Sequence, residues 1–221
     1  ESPWGRGFPG WHIECSAMSM KYLGPHFDIH TGGVDNIFPH HEDEIAQSEG
    51  LTDQRYVNYW VHAQHLLADG QKMAKSTGNA YTRSEIESRG FDPMALRYLY
   101  TTALYRSRLN FTFRALQAAQ TALERLRGRA YQLLLTADRD AALSTEQLPT
   151  NPWQTAFLEA VENDLNFPRA LAVVWTMLRS GELDATTKIR LLLDFDRILG
   201  FGLREYLLSD LPESKLDPRT Y

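Results

Sequence analysis

His40 and Glu44 stand four residues apart in Phe38-Pro39-His40-His41-Glu42-Asp43-Glu44. On a helix that spacing stacks an imidazole and a carboxylate on one face, where they can share a surface hydrogen bond or hold a metal ion. Cys15 widens the second option, because a thiolate, an imidazole and a carboxylate are all competent zinc ligands. The plainer reading of a lone cysteine is a small buried hydrophobe. Spacing cannot bring Cys15 to that helix; only the fold could. A second constellation is Lys72-Met73-Ala74-Lys75-Ser76 followed by Thr77-Gly78-Asn79. Two lysines three apart on a loop that ends at a glycine can hold a polyphosphate and stabilise charge as it moves to a leaving group. The same five residues also read as a solvated loop with two snorkelling lysines.

The chemistry-bearing residues are unevenly spread. All seven histidines (His12, His26, His30, His40, His41, His62, His65) and the only cysteine lie in the first 65 of 221 residues, and six of the fourteen glycines lie in the first 33. The rest has the look of scaffold. A chain with 43% hydrophobic and 23% charged residues is globular, and no apolar run approaches the length of a bilayer-spanning helix. Its net charge of -5 divides evenly between the two halves, so no broad basic face is advertised, although a local lysine pair can hold phosphate on an acidic protein. One cysteine excludes an internal disulfide framework and suits a reducing, cytoplasmic compartment. The opening, Glu1-Ser2-Pro3-Trp4, has no signal-peptide pattern and no initiator methionine, and reads as the later part of something longer.

Elements must position these groups. Residues 12–23 suggest a short helix with Ile13, Ala17 and Met20 near one face, closed by Gly24-Pro25. Residues 27–30 alternate like a strand that runs into Thr31-Gly32-Gly33, and a strand ending in a glycine turn is where open α/β sheets bind ligands. Pro39 reads as a first helical position, Glu42, Asp43 and Glu44 suit the helix dipole, and Gly50 reads as the stop. Residues 59–62 read as a strand, and Asp69-Gly70 as a hairpin turn. Beyond them helices are expected over 94–105, opened by Asp92-Pro93, and over 112–136, 152–163, 168–178 and 186–199, the last ended by Gly200, with a polar loop at 137–151.

Four segments in order, Gly10-Trp11-His12-Ile13-Glu14-Cys15-Ser16-Ala17-Met18, residues 27–35, residues 38–49 and residues 72–76, closely resemble the cysteinyl-tRNA synthetase family over residues 3 to 110. Tyr105-Arg106-Ser107 with Leu109-Asn110-Phe111, and Asn163-Asp164 with Asn166, Pro168 and Ala170-Leu171-Ala172, extend the likeness. The resemblance implies an α/β Rossmann-type (class I synthetase) partial catalytic domain, residues 1–110 including the lysine loop. An all-α helical bundle would follow over 111–208, then a weakly ordered tail at 209–221.

Roles follow position by position, as what the resemblance implies. Cys15, His40 and Glu44 match zinc ligands, and the zinc would bind the cysteine substrate through its thiolate. Trp11 and His30 match the amino-acid pocket, with His30 meeting the substrate carboxylate. Gly33 and Asp35 match the nucleotide side, and Lys72, Met73, Lys75 and Ser76 match the mobile signature loop that acts at the α-phosphate of ATP, which enters with Mg2+. The lysines Lys72 and Lys75 would be the catalytic pair. The implied partners are cysteine, ATP and tRNA(Cys), with no membrane.

The sequence departs from the family at four points. Ala74 stands where serine is usual and Thr31 where glycine is usual. The His-Ile-Gly-His signature and the second zinc-binding cysteine of the family's first half do not occur, so the chain is expected to hold half an active site and not to activate cysteine alone. The missing half would be part of the same chain or of a separate one. Two other readings compete: a cysteine:amino-sugar ligase of mycothiol synthesis, and a non-catalytic half-synthetase binding module. Glu44 and the surroundings of His30 resemble the synthetase more closely.

Overall fold

The computed structural model describes residues 1–3, 5–8, 10–74, 78–146 and 148–209. Lys75 and Ser76, and the tail from 210 to 221, lie outside the described residues. The chain forms two compact units, Glu1–His65 with Tyr105–Arg108, and Leu66–Leu104 with the described part of Leu109–Tyr221. None of the described helices is long and apolar enough to cross a membrane.

The first unit is built on two parallel strands, β1 (Phe27–Gly33) and β2 (Val57–Ala63), in continuous register from Phe27↔Val57 to Gly33↔Ala63. Parallel pairing demands a long crossover. Here it comprises a 3-10 turn at Val34–Asn36, a wider turn at Ile37–His41 and helix α2 (Glu42–Thr52). The wider turn is broken at Phe38, whose backbone is extended (φ -133°, ψ 133°), so the helix starts three residues after Pro39 and not at it. Gly50 does not stop α2. The helix continues to Thr52, whose hydroxyl donates to Ser48 O, and it ends at Asp53 in the left-handed region (φ 54°). Helix α1 (His12–Leu23) lies against α2 through Ser16, which is fully buried and donates to Gln47 Oε1 at 2.8 Å. Ile13 and Ala17, on the face picked out by apolar spacing, are exposed.

The second unit opens with the hairpin of β3 (Leu66–Ala68) and β4 (Gln71–Lys72). Asp69 (φ 50°) and Gly70 (φ 79°) both take positive φ, as the two-residue hairpin turn requires. Strand β5 (Leu109–Phe111) pairs parallel to β3 on its other edge. Helices follow: α3 (Arg83–Ser88), α4 (Pro93–Thr101), α5 (Phe113–Thr136), α6 (Arg139–Ala142), α7 (Pro152–Glu162), α8 (Phe167–Arg179), α9 (Ala185–Leu199) and α10 (Leu203–Leu208). Of these, α3, α6 and α10 are too short for apolar periodicity to announce them, and α6 sits in the stretch that reads as loop. Leu116, Leu123 and Leu126 of α5 are fully buried, and Phe157 of α7 stacks on Phe195 of α9 with ring centroids 4.2 Å apart and planes at 9°.

Asp92 couples two of these helices. One carboxylate oxygen caps α4 by accepting from Met94 N at 2.7 Å, and the other pairs with Arg127 of α5. Asp92→Ala removes a helix cap, about 1 kcal/mol, and strands a guanidinium that is only 16% exposed. The expected loss is about 2 kcal/mol in urea unfolding, and Asp92→Asn, which keeps the cap, should lose about half as much.

Candidate functional site

Glu44 is the centre of the arrangement in the first unit. It sits in the first turn of α2, completely buried. A buried carboxylate needs partners on every lone pair. Its Oε2 accepts from His30 Nε2 at 2.8 Å and from the Tyr56 hydroxyl at 3.4 Å. Its Oε1 lies 2.7 Å from His40 Nε2, yet without the alignment of a hydrogen bond, and it has no other partner among the described residues. An imidazole nitrogen and a carboxylate oxygen are both atoms that can ligate a metal ion.

Cys15 of α1 completes the group: one ligand atom each from Cys15, His40 and Glu44 lies within 4.8 Å of the others. With zinc bonds of about 2.0–2.3 Å, tetrahedral ligands sit roughly 3.3–3.8 Å apart, so small side-chain shifts would let these three close on one ion. Burial, then the charges of Glu44 and Glu14, pushes the Cys15 thiol up from its ordinary value, so without a cation it keeps its proton. A bound metal reverses that balance and displaces the proton. Burial pulls the His40 imidazole down, against the pull of Glu44, and leaves it neutral and able to ligate.

A supporting layer holds these groups in place. His12 Nδ1 is 2.6 Å from His40 Nδ1, and His12 Nε2 is 3.2 Å from Asp43 Oδ2. That chain engages one nitrogen of His40 and leaves the other, Nε2, turned to Glu44. Trp11 stacks on His40 (3.4 Å, 11°) and Trp60 of β2 on His30 (4.8 Å, 19°). His41 is 2.7 Å from His62 Nε2, and burial, followed by the neighbouring histidines His30, His62 and His40, lowers its pKa to about 4. A Cβ at Gly32 would come within 2.7 Å of the His41 ring, so only glycine there lets that ring keep its seat.

Of the residues singled out in the sequence, the first unit thus gathers Trp11, Cys15, His30, His40 and Glu44. Gly33 ends β1, and Asp35 lies in the 3-10 turn just after it, where a Cβ on Gly33 would meet Asp35 Oδ1. Lys72 and Met73 belong to the second unit. Met73 N donates to Leu66 O at 3.2 Å, and Asn79 braces the loop by donating to Lys72 O and accepting from Ala74 N. The spacing of motifs assigned no role to Asp43, His41, Tyr56, Trp60 or His62. The histidine excess of the first 65 residues pointed toward His41 and His62, and nothing in the sequence toward Tyr56 or Trp60.

The profile described as tRNA synthetases class I (C) catalytic domain matches residues 1–121. Cysteine–tRNA ligase 1 of Burkholderia lata is 47% identical over 216 residues, covering 96% of this chain and 44% of that protein. The cysteine–tRNA ligase of Brachyspira hyodysenteriae is 45% identical over 182 residues, covering 81% of this chain and 38% of that protein. The chain spans less than half the length of either relative. Among solved structures, the ternary complex of Agrobacterium radiobacter K84 agnB2 LeuRS with tRNA and LeuAMS aligns at a TM-score of 0.69 and 17% identity, over 94% of this chain and 32% of that one, a likeness of fold.

Proposed function

Because this chain belongs to the family of class I (C) tRNA synthetase catalytic domains, we propose that it serves in a cysteine–tRNA ligase. The reaction activates cysteine with ATP to cysteinyl-adenylate, releasing pyrophosphate, and passes the cysteinyl group to the terminal ribose of tRNA(Cys). The observation that carries this reading is the buried Glu44 Oε1, unbonded and facing His40, with the Cys15 thiol in the same cluster. Cys15, His40 and Glu44 would hold zinc, which supplies a soft Lewis acid that takes the substrate as thiolate and disfavours the hydroxyl of serine.

The chain's own residues do the rest. His30, fixed by Glu44 and Trp60, meets the substrate carboxylate, and Trp11 walls the pocket beside His40. Gly33 permits close approach of the nucleotide and Asp35 takes its ribose hydroxyls. Lys72 and Lys75 hold the phosphates of Mg2+-bound ATP and neutralise charge as pyrophosphate leaves, with Met73 and Ser76 also on the nucleotide side. We assign residues 1–110 to the catalytic domain and 111–208 to a helical bundle, and place the protein in the cytoplasm, in keeping with its single cysteine. Ile29 and Tyr59, paired across β1 and β2, are 59% and 68% exposed, although parallel sheets are ordinarily covered on both faces. We assign that surface to the remainder of the catalytic domain, carried by the same chain or by another.

Cysteine-dependent exchange of pyrophosphate into ATP tests the reading. In the native enzyme Lys72→Ala is expected to slow exchange about 100-fold while cysteine binding is unchanged, the pattern of a group that acts in the transition state. Equal losses in rate and in cysteine affinity would remove that role.

A further inference from the structure

We propose that His30, His41 and Glu44 form a second divalent-cation site that takes Zn2+ and shares Glu44 with the Cys15 cluster. One ligand atom from each of the three lies within 4.8 Å of the others. The two oxygens of Glu44 meet different imidazoles: Oε1 lies 2.7 Å from His40 Nε2, and Oε2 accepts from His30 Nε2 at 2.8 Å, a proton that a bound cation would replace. A carboxylate split in this way between two imidazoles is set to bridge two ions, one bound with Cys15 and His40, the other with His30 and His41.

The donor set decides the cation. Two imidazoles and one carboxylate suit borderline ions such as Zn2+ and Co2+, whereas Mg2+ and Ca2+ want an all-oxygen shell. His41 is almost wholly buried, and one of its nitrogens is engaged by His62 at 2.7 Å, the kind of outer contact that orients a ligating imidazole. His30 keeps 18% of its side chain exposed, which gives an ion a way in and leaves open positions for water. Three protein ligands without a thiolate make this the weaker site of the two. On the proposed function, an ion there also takes His30 away from the substrate carboxylate, so excess zinc would compete with cysteine. That consequence rests on the proposed reading; the site itself does not.

Titration of the metal-free protein with Co2+, followed by absorption, tests the site. Two equivalents are expected, the first with a thiolate-to-cobalt charge-transfer band and the second with ligand-field bands alone. Cys15→Ser should lose the charge-transfer band and keep one weaker equivalent. His41→Gln should keep the charge-transfer band, which itself reports an intact first unit, and weaken the second equivalent by at least about 100-fold. Saturation of the unaltered protein at one equivalent that carries the charge-transfer band overturns the proposal, as does a second equivalent that His41→Gln leaves unchanged. If ligand-field bands rise with no charge-transfer band in the unaltered protein, the Cys15 assignment fails and this site stands.

Discussion

Cys15→Ser protein is expected to fold normally and to lose its tight zinc. The thiol is only partly buried and serine is nearly isosteric, so the packing of α1 on α2 through Ser16 is undisturbed. The metal has far more to lose. Structural zinc sites bind with about 10–16 kcal/mol shared among a handful of ligands, so loss of the thiolate removes about 4 kcal/mol. In affinity that is about 1,000-fold. Competition against a chelator of nanomolar affinity should show the unaltered protein holding one zinc and the variant releasing it, with circular dichroism superimposable. Zinc retained at unaltered affinity would mean that Cys15 is no ligand.

The second large effect is on the helical unit. Phe157 is 1% exposed and lies flat on Phe195, ring centroids 4.2 Å apart, at the meeting of α7 and α9. Phe157→Ala opens a ring-sized cavity between two rigid helices and removes a stacked pair as well. Buried phenylalanine truncations cost about 3–5 kcal/mol, to which an aromatic pair contributes about 0.5–1.5 kcal/mol. Against a typical domain stability of about 5–15 kcal/mol, a loss of about 4 kcal/mol should move the urea midpoint far to the left. Phe157→Leu, which keeps most of the volume, should lose less than half of that. A loss under about 1 kcal/mol for the alanine variant would show that α7 and α9 do not share this core.

Local chemistry in the sequence was a good guide wherever one residue decides a conformation. Gly200 ends α9 with φ 67°, Asp69-Gly70 turns the hairpin, and Asp92-Pro93 opens α4. It misled where two weak signals compete. Gly50 disfavours helix by only about 1 kcal/mol, and the hydrogen bond from Tyr56 N to Glu49 Oε1 at 3.0 Å ties that last turn to the start of β2. Pro39 suits a helix start, but the extended Phe38 before it belongs to a turn, and α2 begins only at Glu42.

The site divides in the same way. The residue types of Cys15, His40 and Glu44 and the four-residue spacing were legible. What was not is the packing of α1 against α2 that closes the twenty-five-residue separation of Cys15 and His40. The supporting rings were invisible for a related reason. Trp60 on His30, His62 beside His41 and Tyr56 below Glu44 all come from β2 or the turn before it, and they meet β1, the wider turn and α2 only through parallel pairing. The aromatic and β-branched residues of β2 announce a strand, not which histidine each of its side chains will touch.

The central claim is that Cys15, His40 and Glu44 hold a zinc ion that reads the thiol of the substrate. X-ray absorption at the zinc edge tests it most directly, with the native enzyme alone, with cysteine and with serine. The number of sulfur ligands is expected to rise by one with cysteine and to stay unchanged with serine. A sulfur count that does not change when cysteine saturates the enzyme would contradict the claim.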